Sequence, residues 1–323
     1  MRLAPVLLAV GGLLLAGPAC AEPGDAARWL QRIAAAAQKL NFTGTFSYQS
    51  GGNAETSRIT HIADATGEHE RIEVLDGSMR ELVRTNDEVK CFLPEEKVVI
   101  VESRRHYKTF PALLPSAVSG LEDFYQIRKG EIARVAGFDS QLIVLEPRDA
   151  FRYGHLLWAE LESGLLLKAR TVNERNEQVE QFAFSQVQIG GRIDREALRP
   201  KSSVSNSDWR VQNARAVRAR TAAGEWTFRA VVPGFKVSAD MKRSAARAGQ
   251  ETTHVVFSDG LASISVFIEP AAEAAAAIDG GTFSVGAING YKRFVGKHQV
   301  IVLGEVPQAT LMRLADGIEA RKR

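Results

Sequence analysis

The residues best able to do chemistry fall into near-misses. Gly290-Tyr-Lys-Arg-Phe-Val-Gly296-Lys297 resembles a phosphate-binding loop. It has five residues between the glycines where the loop has four, and His298 stands where Ser or Thr would hold magnesium. It reads as a glycine-punctuated hairpin. His69-Glu70-Arg71-Ile72-Glu73 opens like a zinc-protease helix but ends in Glu, inside a strand-like stretch. The six His, at 61, 69, 106, 155, 254 and 298, show no ligand spacing. No G-x-G-x-x-G or G-x-S-x-G motif is present. The residues therefore call for no catalytic group, no metal and no cofactor. They point to a binding protein, with a carrier or an enzyme of dispersed catalytic residues as the competing classes.

Composition narrows the field. The chain has 323 residues, 45% apolar and 24% charged, the profile of a globular protein long enough for two domains. A balance of 41 Lys+Arg against 38 Asp+Glu gives no basic patch of the kind that nucleic-acid partners need. Residues 1–21 read as a secretory signal. Arg2 supplies the positive start, Leu3–Leu15 the apolar run, Gly17-Pro18 the break and Ala19-Cys20-Ala21 the cleavage site. Acylation of Cys20 is the alternative, although Gly17-Pro18-Ala19 lacks the Leu-small-small pattern. Cleavage after Ala21 places the chain in the periplasm of a bacterial cell. It removes Arg2, taking the charge from +3 to +2, and leaves Cys91 as the single thiol, expected to be buried in a strand.

The elements follow from periodicity. Asp25–Leu40 carries Trp29, Leu30, Ile33, Ala36, Ala37 and Leu40 at helical spacing. From Phe42 the period becomes two, and short strand-like runs separated by turn residues continue to Ile189. Without βαβ alternation, the sheet is expected to be antiparallel and to curl as a barrel or deeply bent sheet. One segment interrupts it, Arg104–Tyr125. Phe110, Leu113, Leu114, Val118, Leu121, Phe124 and Tyr125 make it too apolar for a solvated loop. It reads as a helical plug, a lid over a ligand groove, or both. Arg104, Arg105 and Lys108 beside it offer contacts for an anionic lipid, or an exposed rim.

Residues 22–200 form the expected large domain, 201–222 a linker rich in Ser and Arg, and 223–320 a small α+β domain. In the latter, Trp226–Phe235 reads as a strand, Asp259-Gly260 as a hairpin turn, Asn289-Gly290 and Gly296-Lys297 as strand boundaries, and Ala309–Ala320 as a helix. Ala271–Ala277 reads as a loop or short helix.

Several stretches resemble the RseB/MucB family of sigma-E factor regulatory proteins. They are His254-Val-Val-Phe-Ser-Asp-Gly-Leu-Ala-Ser-Ile-Ser-Val-Phe-Ile-Glu269, Gly286-Ala-Ile-Asn-Gly-Tyr291, Gly304-Glu-Val-Pro307, Asn41-Phe-Thr-Gly-Thr-Phe46 and His69-Glu-Arg71. The resemblance implies a mainly β fold, in which an unclosed antiparallel barrel like the lipoprotein carriers, partly filled by helices, joins a small antiparallel sheet with a helix. It implies a partner, the periplasmic domain of a transmembrane anti-sigma factor, shielded from site-one proteolysis. It also implies release by lipopolysaccharide or an acylated lipoprotein. A homo-oligomer is left open. The lipid groove is then expected at the 110–125 segment. The anti-sigma peptide is expected at the hairpin Phe257, Ser258, Asp259 and Leu261.

Overall fold

A computed structural model describes residues 23–103, 110–114, 118, 120–202, 209–213, 224–230, 232–244, 251–271 and 280–321. The signal segment, Arg104, Arg105, Lys108 and 272–277 lie outside them.

Helix α1 (Pro23–Lys39) opens the described chain, with Asp25 in its first turn, where the helix dipole favours a carboxylate. Its stripe of Trp29, Leu30, Ile33 and Ala34 is buried in the main core. Eleven strands follow: β1 (Phe42–Ser50), β2 (Asn53–Asp64), β3 (Gly67–Val74), β4 (Glu81–Thr85), β5 (Glu88–Leu93), β6 (Val98–Ser103), β7 (Tyr125–Val135), β8 (Phe138–Pro147), β9 (Gly154–Glu160), β10 (Leu166–Val172) and β11 (Gln178–Ile189). They form two consecutive meanders, β1–β6 and β7–β11, joined where β1 pairs antiparallel with β11. The sheet does not close, because β7 pairs on one side only among the described residues. It curls around α1 and the inward-facing Phe42, Phe46, Ile59, Leu157, Leu167 and Phe184.

One exception to antiparallel order lies in the expected linker. There β12 (Arg210–Asn213) pairs parallel with β6 and satisfies backbone groups that an edge strand leaves open. That part of 201–222 is a strand, while 203–208 and 214–222 are not among the described residues.

The small unit is a six-stranded antiparallel sheet of β14 (Lys236–Ser244), β15 (Glu251–Ser258), β16 (Ser263–Pro270), β17 (Gly281–Val285), β18 (Ile288–Val295) and β19 (His298–Gly304), ordered β14-β15-β16-β19-β18-β17. Helix α2 (Gln308–Asp316) packs on it through Leu311 and Leu314. Three expectations change here. The helix stops at Asp316, and Ile318–Ala320 (β20) pairs with β13 (Trp226–Phe228), which is shorter than the expected 226–235 strand. Gly317 makes the break, since a Cβ there would lie 2.3 Å from the Ala230 backbone nitrogen. Asn289-Gly290 is not a strand boundary. It lies inside β18, where the missing side chain of Gly290 makes room for the Phe283 ring. The phosphate-loop look-alike is therefore a β18–β19 hairpin closed by Gly296 at φ +58°.

Candidate functional site

The described part of the 104–125 insertion is packed inward. Phe110 is buried and stacks on Phe182 at 5.4 Å, beside Phe46 and Phe184. Leu114, Val118 and Leu121 are buried in the same core, and Leu113 and Phe124 pack against it half-buried. The only helical structure among the described residues of the insertion is a 3-10 turn, Leu121–Asp123. Tyr125 is not part of a helix but the first residue of β7. The helix filling the curled sheet is α1.

The end of this insertion meets the small domain. The β8–β9 turn is built on Asp149, whose Oδ1 accepts the Phe151 N–H at 3.0 Å, the usual local turn of an Asp side chain. That turn points Arg152 into the gap between the domains. Arg152 donates from Nε and Nη2 to the two Asp149 oxygens, both at 3.0 Å. Its Nη1 donates to Asp259 Oδ2 at 2.6 Å and its Nη2 to the Pro233 carbonyl at 2.5 Å. The guanidinium lies over the rings of Phe124 (4.7 Å) and Phe235 (5.2 Å). Neither the Arg152 nor the Asp259 side chain reaches solvent.

Asp259 holds two structures together. Its Oδ1 accepts the backbone N–H groups of Leu261 and Ala262, forming the β15–β16 turn, with Gly260 at φ +106°. Its Oδ2 accepts Arg152 and, at 3.2 Å, the hydroxyl of Tyr125. Burial first, and then the Asp259 charge, holds the Tyr125 hydroxyl far above its ordinary pKa. Gly234, at φ +82°, lies flat on Phe124, and a Cβ there would be 2.8 Å from ring carbons. The 110–125 segment and the 257–261 hairpin, far apart in sequence, thus touch through Tyr125 and Asp259.

The other hairpin residues are also engaged. Phe257 is in the small-domain core, edge-on to Phe228. The Ser258 hydroxyl donates to the Ala262 carbonyl at 2.8 Å. Leu261 packs against the large-domain core.

A second set of contacts extends the joint. The Gly51 turn between β1 and β2 abuts Gly286 between β17 and β18, so close that a Cβ on Gly51 would be 2.9 Å from the Gly286 Cα. Asn289 Nδ2 donates to the Tyr153 hydroxyl and to the Val306 carbonyl, each at 2.9 Å. The Thr310 hydroxyl donates to the Phe151 carbonyl at 3.0 Å. Glu180 on β11 accepts the Thr171 hydroxyl at 3.1 Å, and burial raises its pKa. Across the joint, Glu305 is an exposed residue. The protein around it, and then the Glu180 charge, pushes its carboxyl up to about 7.

Arg152, Asp149, Gly234 and Glu180 escaped the sequence reading, and Asn289 and Glu305 entered it only as a strand boundary or within stretches that resemble the family. Among those that escaped, the Asp149-x-x-Arg152 spacing is the available signal, and it marks a turn without naming what the arginine reaches.

Residues 25–202 match the MucB/RseB N-terminal domain and residues 220–319 the MucB/RseB C-terminal domain. This chain belongs to the MucB/RseB family. The sigma factor AlgU regulatory protein MucB of Pseudomonas aeruginosa is 30% identical over 319 residues, spanning 98% of this chain and 96% of its own. The sigma-E factor regulatory protein RseB of Haemophilus influenzae is 23% identical over 96% of each chain. Among solved structures, MucB in complex with MucA(peri) has a TM-score of 0.72 at 27% identity, over 93% of this chain and 100% of that one. The structure of MucB by itself gives 0.64 at 26% identity, over 92% and 98%. This MucB/RseB protein is mainly β, with an unclosed large sheet and a separate small antiparallel sheet, as the resemblance implied.

Proposed function

We propose that this protein is a periplasmic negative regulator of an envelope-stress sigma factor. It binds the periplasmic region of a transmembrane anti-sigma factor and shields it from site-one proteolysis. A lipid or lipoprotein signal relieves that shielding. The observation that carries the reading is the joint itself. Over the whole chain the likeness to MucB with MucA(peri), at a TM-score of 0.72, is greater than that to MucB by itself, at 0.64. A closed joint is therefore read as the partner-binding state.

The aromatic insertion supplies the coupling. A lipid chain entering the curled sheet has to displace Phe110, Leu113, Leu114, Val118 or Leu121 from their places in the core. Phe124 and Tyr125 end the same segment and hold Gly234 and Asp259. Displacement would loosen the joint, and by linkage a lipid that prefers the open state weakens partner binding by the same factor. Arg104, Arg105 and Lys108 are proposed to meet the anionic group of that lipid. The 257–261 hairpin acts on the partner through the joint, since Asp259 is buried there and Phe257 is buried in the small-domain core.

The test is titration of the mature protein with the periplasmic segment of the anti-sigma factor, with and without lipopolysaccharide or an acylated lipoprotein peptide. Binding in the micromolar range or tighter, weakened by lipid, is expected. Leu113→Asp should lose the lipid effect while keeping partner binding, because Leu113 is only half-buried. A protein that binds no such segment, and instead speeds transfer of acylated cargo between membranes, would be a carrier.

A further inference from the structure

The four edges of the two main sheets are protected unequally. Exposed edges offer unpaired N–H and C=O groups, and natural proteins guard them with charge, bulges or shortness. Edge β7 carries Arg128, Lys129, Glu131 and Arg134 and shifts register between Lys129 and Ile132. Edge β12 is four residues long and begins with Arg210. Edge β14 carries Lys236, Asp240, Lys242 and Arg243. Edge β17 reads Gly-Thr-Phe-Ser-Val, with no charge and no proline, and every residue is exposed.

Apolar surface is concentrated at the same place. Phe283, Val285 and Ile288 are 42%, 71% and 43% exposed, three of the nine large exposed apolar residues among those described. Phe283 pairs with Gly290, Val285 with Ile288 and Gly281 with Lys292. Cross-strand partners share a face, so Phe283, Val285, Ile288 and Lys292 form one surface. Lys292 has no carboxylate partner among the described residues, and its ammonium lies 5.3 Å from the Phe294 ring.

We propose that β17 is a docking edge for an extended segment of the anti-sigma partner, added as a seventh strand. Alternate apolar side chains of that segment would lie over Phe283 and Val285, and a carboxylate would reach Lys292. The inference rests on the regulator reading and names the surface that reading needs. An open edge bonds only to extended backbone. The far end of β17 turns at Gly286 against Gly51, so a strand beside it runs into the domain joint and senses whether the joint is closed. A second copy fits less well. Two five-residue edges, each about 17 Å long, fall well short of the roughly 1,000 Å² that a stable interface buries.

The experiment uses the mature protein with a synthetic periplasmic segment of the anti-sigma factor from the same genome. Val285→Lys should weaken binding about tenfold, by charging the edge as guarded edges are charged, and Val285→Thr should not. Circular dichroism and thermal melting check that both variants fold. Amide exchange at 281–285 should slow when the segment is added to the wild type. Full-strength binding by Val285→Lys with unprotected β17 amides would overturn the edge assignment and leave the regulator reading standing. Failure of the wild type to bind any periplasmic segment would overturn both. Protection of β17 that rises with protein concentration and needs no peptide would make the occupant a second copy, against the proposal.

Discussion

At the residue scale, Arg152 decides most. A buried arginine is tolerated because Asp149, Asp259 and the Pro233 carbonyl all accept from it. Removing one partner of such a buried pair leaves the other charge uncompensated, so Arg152→Ala should destabilise by about 3–5 kcal/mol. Urea unfolding at neutral pH measures this, and a loss of under ~1 kcal/mol, the scale of an exposed pair, would show the joint is not held by this residue. Composition gave no hint of this role, because nothing local marks one of many arginines as buried. Cys91 was easier to read. It sits half-buried in β5, and burial raises its thiol pKa, which fits an inert thiol.

At the element scale, most strands were legible because alternation is a local signal. The last strand of the large sheet, β11, ends at Ile189, where the strand-like runs were expected to end, and α1 differs from its expected bounds by one or two residues. The errors sit where a glycine has a tertiary reason. Gly290 looked like a strand boundary and is a landing for Phe283. Gly317 looked like part of a helix and is the point where the chain passes Ala230. Gly317→Ala would press the new Cβ into the Ala230 backbone, and overpacking of this kind costs typically about 1–3 kcal/mol. Thermal unfolding of the variant should show that loss. A neutral effect would mean that α2 can run on past Asp316 without β20 pairing. Strand β12 was missed for a related reason, since its four residues, Arg-Val-Gln-Asn, are too short to show a strand pattern and its pairing comes from the edge of β6.

At the scale of the whole molecule, two domains are held by hydrogen bonds and closely packed glycines, with two acids, Glu180 and Glu305, facing each other across the joint. Glu305 keeps its proton up to about pH 7 in the folded protein, whereas an ordinary glutamate loses it near 4.5. Between those values the native state binds a proton that the unfolded chain has released. Stability from this group therefore falls as pH rises from about 4.5 to about 7. His61, whose pKa is lowered chiefly by burial, acts in the opposite direction, losing stability as pH falls below its ordinary 6.5. Comparing the wild type with Glu305→Gln removes the His61 contribution. The difference in unfolding free energy between the two proteins should change across pH 5–7.5, and a flat difference would place Glu180 and Glu305 out of reach of each other.

The sequence by itself determined the strand and helix periods, the near-absence of catalytic motifs and the family. Each is local, or long enough to be read as a string. It also marked the insertion and the hairpin as places of interest. Only the tertiary structure decided that these two meet, that Asp259 turns inward to Arg152 and Tyr125, and that β17 alone among the main sheet edges is left unguarded. Those facts depend on which distant segments the fold brings within a few ångströms, and a burial or a contact of that kind leaves no period in the chain.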